Sequence, residues 1–308
     1  MSERTERVSA GTWFPRWFWP SFAVPASLWL GFLFLAPFYV ILSIAFGDID
    51  PIFLTPTPVY DPLRWDFTPF RGVVSGIFTT GSIYRNAFAH TLVFVVIASL
   101  LCLVIGYPVA YFIARHAGRA RTLFLVLFLA PFWISYMMRM LAWINLLQPS
   151  GYVNRILEAL GVIGAPIYWL NGKPVTVILG LTYGYVPYMI LPLFATLDRI
   201  PSSMLEASRD LGAGNVETFH RITLPMSRQG ILAGLVIVAL PMFGDYYTTT
   251  LLAGTRNTAM IGNLIQTSIQ SSLVQTGASL VLILLALLIV PMLYYLRATQ
   301  RAEELFAA

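Results

Sequence analysis

Apolar residues run through this chain in blocks far longer than a globular core requires. Six blocks meet the roughly twenty residues that a helix needs to cross a bilayer. They fall at 25–46, 88–114, 123–147, 175–197, 229–253 and 278–297. Two of the segments between them stand out. Residues 48–86 form a long loop in which Pro51, Pro56, Pro58, Pro62 and Pro69 prevent a single helix. Residues 198–228 form a polar insert punctuated by helix-start signals and a glycine. The pattern predicts an all-α integral membrane protein with six transmembrane helices. Its parts are an interfacial N-terminal segment at 1–24, a membrane domain at 25–297 and a tail at 298–308. The first block is too long and starts too late to be a cleaved leader.

Composition supports a bilayer as the solvent. Of 308 residues, 57% are hydrophobic and 11% charged, where a soluble domain carries about a quarter charged residues. The net charge of +5 reflects orientation rather than nucleic-acid binding. With the N-terminus inside, twelve Lys and Arg residues fall in inner segments and six in outer ones, and Arg139 lies within a span. That bias predicts both termini and the 198–228 insert in the cytoplasm of a bacterial inner membrane. The cluster Trp13-Phe14-Pro15-Arg16-Trp17-Phe18-Trp19-Pro20 suits the headgroup layer.

Several chemistries find no residues here. Lys173, the only lysine, is followed by Pro174, so no P-loop exists and any ATP and Mg would be held by a partner chain. Cys102 is the only cysteine, which leaves no intramolecular disulfide. His90, His116 and His220 have no metal-ligand spacing. The sequence predicts no catalytic site, no metal and no cofactor bound by this chain.

The insert has its own internal design. Ser203-Met204-Leu205-Glu206 fits a capping box, and Gly212 fits the left-handed position that ends a helix. Asn215 reads as a second N-cap, with a short helix from Val216 to Ile222 broken by Pro225. Two helices joined at a glycine make a knob, from which Phe219 is expected to fill an apolar pocket on a partner. Glu206-Ala207-Ser208, Gly212 and Ile222-Thr223-Leu224-Pro225 resemble the cytoplasmic EAA loop of ABC importer permeases, with Ser208 in place of the usual alanine. The resemblance implies that Glu206, Ala207, Gly212, Phe219, Leu224 and Pro225 couple the chain to an ATPase. It also implies a type I importer architecture. The partners would then be a second homologous permease, two ATPase copies and an extracytoplasmic binding protein.

Two further stretches narrow the resemblance to spermidine/putrescine-type permeases. They are Pro131-Phe132-Trp133-Ile134-Ser135-Tyr136-Met137-Met138-Arg139-Met140-Leu141-Ala142-Trp143, and Gly244-Asp245-Tyr246-Tyr247 with Met260-Ile261-Gly262-Asn263-Leu264-Ile265. Many permeases of that type have Pro-Glu where this chain has Thr249-Thr250.

Independently of the resemblance, Asp245 lies in the fifth apolar block. An aspartate at a helix centre costs about 2.5–3.5 kcal/mol on insertion scales, so it faces a cavity or a partner. One reading pairs it with Arg139. The other makes it a cation contact in a pathway with Tyr246, Trp133, Tyr136 and Tyr188, whose rings suit cation–π contacts. The expected function is the pore subunit of an ATP-driven importer of small cations such as polyamines. The rivals are the same machine for an amino-phosphonate, ferric iron or an oxyanion, an autonomous channel or secondary transporter, and a non-transporting scaffold.

Overall fold

The computed structural model describes residues 18–50 and 56–307. Most of the predicted N-terminal aromatic cluster lies outside the described residues. Four helices are long and apolar enough to cross a membrane singly. They are α1 (Phe18–Ala45), α3 (Ile83–Arg115), α7 (Pro174–Asp198) and α14 (Val274–Ala307), the first separated from α3 by a short helix, α2 (Thr68–Phe78). Proline occurs inside all four, as membrane helices tolerate when neighbours re-satisfy the backbone.

The other two apolar blocks are broken rather than continuous. Block 123–147 divides into α4 (Arg121–Leu129) and α5 (Tyr136–Leu147), joined by a tight turn at Ala130–Trp133. The segments on either side of this join are bent by 87°. Pro131 removes a backbone donor, and Ile134 and Ser135 are extended, so the helix cannot run through. Block 229–253 divides into α11 (Arg228–Phe243) and α12 (Tyr247–Leu252). Pro241 and Gly244 precede that break. With each broken block counted as one crossing, the chain has up to six spans by length and composition. Single continuous helices at these two positions are corrected.

The core is built where α3, α7 and α11 meet. Phe94, Val95 and Cys102 of α3 pack with Leu181 and Met189 of α7 and with Val238 and Met242 of α11. These residues are almost fully buried, and each large side chain withdrawn from water contributes about 1.5–3 kcal/mol. By contrast α1 is apolar all round and mostly uncovered, with Leu28 and Phe34 near 70% exposed (69% and 68%). Such a helix requires a bilayer or another chain as its solvent. Its end joins a smaller cluster through Ala45, Phe46 and Ala278.

The 48–86 loop is a folded unit. Its strands Asp48–Ile49 and Pro56–Thr57 pair antiparallel. Phe46, Trp65, Phe67 and Phe70 stack, with centroids 4.6–5.6 Å from the Phe46 ring. The helix α2 packs on α3 and α14 and buries Val73. Asp66 receives both the hydroxyl and the N–H of Thr68 at the start of α2. These bonds hold its carboxyl below the usual range. Another short helix, α6 (Tyr152–Ala159), is anchored by fully buried Asn154. Its amide donates to the carbonyls of Gln148, Pro149 and Ile167 and accepts from Ile167 N–H and Trp169 Nε1.

Candidate functional site

The two broken blocks face each other across a cavity of about 620 Å³. Its wall takes Phe132, Tyr136 and Arg139 from the first break, Tyr185 and Tyr188 from α7, and Gly244 to Tyr247 from the second. A helix break frees backbone and aims its flanking side chains at one point, and in membranes such breaks occur where they line a cavity.

Asp245 sits in the second break and is 6% exposed. Its Oδ2 accepts from the Tyr136 hydroxyl at 2.7 Å, the Tyr185 hydroxyl at 3.1 Å and Thr248 Oγ1 at 3.0 Å. Its Oδ1 accepts from Thr248 N–H at 2.9 Å, which caps the start of α12. The carboxylate is therefore anchored on one oxygen and retains spare acceptor capacity on the other. The Tyr136 hydroxyl also meets Thr248 Oγ1. Close packing between α5 and α7 depends on Gly184, where a Cβ would lie 2.7 Å from the Tyr136 ring.

The Arg139–Asp245 ion pair expected as one alternative does not form. Oδ2 is occupied by neutral donors, and the guanidinium instead lies over the rings of Phe132 and Tyr136, 5.0 and 5.2 Å from their centroids. Arg139 is 6% exposed, and its Nε has no hydrogen-bond partner.

Of the sequence-derived pathway residues, Asp245, Tyr246, Tyr136 and Tyr188 line this cavity. Trp133 does not: it is 81% exposed. Tyr246 stacks on Tyr247 at 4.2 Å, and Tyr188 meets the Phe132 ring edge-on at 4.4 Å. Sequence reasoning missed Thr248; it offered Tyr185 as a pore-facing aromatic but not as a donor to Asp245. The Asp245-to-Thr248 spacing of a helix cap was the available signal for the first. Thr249 and Thr250 both bind Asn263, whose amide also donates to the Tyr246 carbonyl at 3.2 Å. The two motif stretches around 245 and 262 thus form one unit. They also border a second cavity of about 320 Å³ lined by Thr249, Thr250 and Asn263.

At the opposite end, the 198–228 insert follows α7. Its helix α8 (Ser202–Asp210) begins one residue before Ser203, with Pro201 at the cap and no side-chain capping bond. The capping box is corrected, because Ser203 is already within the first turn. The far end is as read: Gly212 has φ +86°, Gly212 N–H meets the Arg209 carbonyl, and Ala213 N–H meets the Ser208 carbonyl. That pair of bonds is a Schellman closure. A second helix, α9 (Asn215–Thr218), starts after Gly214, so Asn215 is inside it rather than its cap. It continues through a π turn at Phe219–Thr223 into α10 (Leu224–Met226). Pro225 does not end the helix, since its missing N–H falls in the first turn of α10. The chain bends by 61° at the junction with α11. There buried Ser227 bonds the Tyr107 hydroxyl of α3 at 2.9 Å.

Phe219 turns inward, against Tyr107 and Tyr111 of α3 at 5.7 and 6.3 Å. The knob's outward apolar residues are instead Leu211 and Val216, 88% and 73% exposed. Glu206, Ala207 and Pro225 are exposed and Leu224 half-buried. Ser208 is buried and bonds Thr218 Oγ1 at 2.8 Å, tying α8 to α9.

Residues 106–303 match the family model for the binding-protein-dependent transport system inner membrane component. The chain belongs to that family. It is 40% identical over 184 residues to the spermidine/putrescine transport system permease protein PotB of Escherichia coli strain K12, covering 60% of this chain and 66% of that one. The chain thus spans just under two thirds of that relative. It is 26% identical over 238 residues to the inner membrane ABC transporter permease protein YdcU of the same strain, covering 73% and 72%. The fold is shared with a chain of a bacterial alginate ABC transporter, crystallised with a periplasmic protein bound to alginate pentasaccharide. That match has a TM-score of 0.69 at 19% identity, covering 93% of this chain and 95% of the other.

Proposed function

We propose that this chain is one permease half of an ATP-driven importer of polyamines such as putrescine and spermidine. One observation carries the cation reading: a buried carboxylate, Asp245, lies in the wall of an aromatic-lined cavity between two broken helices. An ammonium can donate to its less occupied Oδ1 while its methylene stem lies against the rings of Tyr185 and Tyr188. The 40% identity to PotB supports the same cargo. Contacts of this kind are weak enough for cargo to leave again.

In this reading a second permease completes the pore, and two ATPase copies bind below. A binding protein delivers cargo to the outer face, where the folded 48–86 loop offers a surface. Both termini and the 198–228 knob face the cytoplasm. The ATPase carries ATP and Mg and grips the knob through Leu211 and Val216, beside Glu206 and Ala207. Its closure moves α8 to α10 together. The Tyr107–Ser227 bond and Phe219 relay that motion to α3, and the bend at Ser227 passes it to α11.

The test is Asp245→Asn in the assembled transporter. Uptake of labelled putrescine and spermidine should fall at least about tenfold, one lost charge-assisted contact, with the partner subunits still co-purifying. Undiminished uptake contradicts the reading. A second reading, a cargo bearing an anionic group, is favoured by Arg139 in the same wall. Competition by a phosphonate or oxyanion, with none by polyamines, selects it.

A further inference from the structure

The cavity wall carries a buried positive charge as well as the carboxylate, and among the described residues the two form no ion pair. Arg139 is nine-tenths buried, its Nε is unpartnered, and no ion pair reaches it among the described residues. It stays there because Phe132 and Tyr136 offer ring faces to the guanidinium. The Tyr136 ring serves both charges: its face meets Arg139, and its hydroxyl donates to Asp245. Phe132, Tyr136, Arg139 and Asp245 all line the same cavity. A cationic cargo that approaches Asp245 must therefore come close to Arg139 as well.

We propose that Arg139 is a specificity-determining residue that sets how many positive charges the cargo carries through this cavity. The proposal rests on the cation reading above. Asp245 attracts the first ammonium. Each further ammonium held in the same space meets the Arg139 charge, and among the described residues lining the cavity Asp245 is the only acidic one to offset it. Like charges held in one partly screened cavity repel by a modest but selective amount. The guanidinium cannot relieve it by losing a proton. Arg139 thus disfavours spermidine, with three ammonium groups, relative to putrescine, with two.

The experiment uses the full transporter in proteoliposomes, with binding protein saturated by either amine. The quantity read is the spermidine-to-putrescine ratio of ATP-driven uptake rates. Dividing each variant's ratio by the wild-type ratio cancels the binding protein's own preference. Arg139→Gln should raise the ratio about threefold, the effect of one unit charge on one extra ammonium across a partly screened gap. Arg139→Lys should leave it near the wild-type value. Ser135→Lys, an exposed position on the same wall, should lower it by a similar factor, and it tests the idea even where Arg139→Gln fails to assemble. A purely structural Arg139 changes both rates together, so an unmoved ratio in Arg139→Gln or in Ser135→Lys overturns the proposal. If the wild-type transporter carries neither amine, the cation reading itself fails, and the proposal with it.

Discussion

The Asp245 carboxylate is held by three side chains from three helices and one backbone N–H. It was legible in the sequence, because an acid in an apolar block needs a reason. Its partners were harder to read. Arg139 was the basic residue that the sequence placed within an apolar block, and charge complementarity pointed to it. The structure instead supplies Tyr136, Tyr185 and Thr248, two of which lie 60 and 109 residues away in sequence. Periodicity along one helix cannot register such distances. Packing makes the same point at Gly184, whose Cα faces the Tyr136 ring. Gly184→Ala would force that ring aside and overpack the contact by about 1–3 kcal/mol. The expected result is a lower thermal midpoint in detergent and slower uptake, measured on the same preparation. An unchanged midpoint and rate would mean that the Tyr136 ring is free to move.

Among the helices, existence was legible and continuity was not. Blocks 123–147 and 229–253 are as apolar as unbroken spans, and hydropathy averages over the few residues that break them. Pro131, Ser135, Pro241 and Gly244 carry the signal, yet prolines inside α7 and α14 leave those helices unbroken. The knob was better encoded, since a positive φ at Gly212 is a local demand that the sequence meets locally. Open space surrounds Gly212, so Gly212→Ala should cost only the backbone strain, about 1–2 kcal/mol. Gly212→Pro also loses the bond to the Arg209 carbonyl and cannot adopt positive φ. Pull-down with the ATPase should therefore weaken modestly for alanine and be lost for proline, while both chains still insert. Equal binding by all three would remove the knob from the coupling account. Ser208 was read as a departure from an alanine pattern. Its bond to Thr218 indicates a strut instead. Ser208→Ala strands a buried hydroxyl and should cost about 1 kcal/mol, read as faster proteolysis between α8 and α9.

For the molecule as a whole, the charge bias predicts an orientation that cysteine labelling can check. Cys102 is fully buried, which gives a quiet background. Glu206→Cys should react only with reagent that reaches the cytoplasmic side. Leu63→Cys, at a position 94% exposed in the outer loop, should react from outside in intact cells. The reverse pattern would invert the chain and remove the knob from the ATPase. The central claim, ATP-driven polyamine import, is tested most directly by uptake of labelled putrescine and spermidine into proteoliposomes. These should hold this chain with its second permease and ATPase, with binding protein outside and ATP inside. The account predicts accumulation that requires ATP and binding protein and that collapses in Asp245→Asn. Accumulation of neither amine, or amine flux through this chain alone down a gradient, would contradict it.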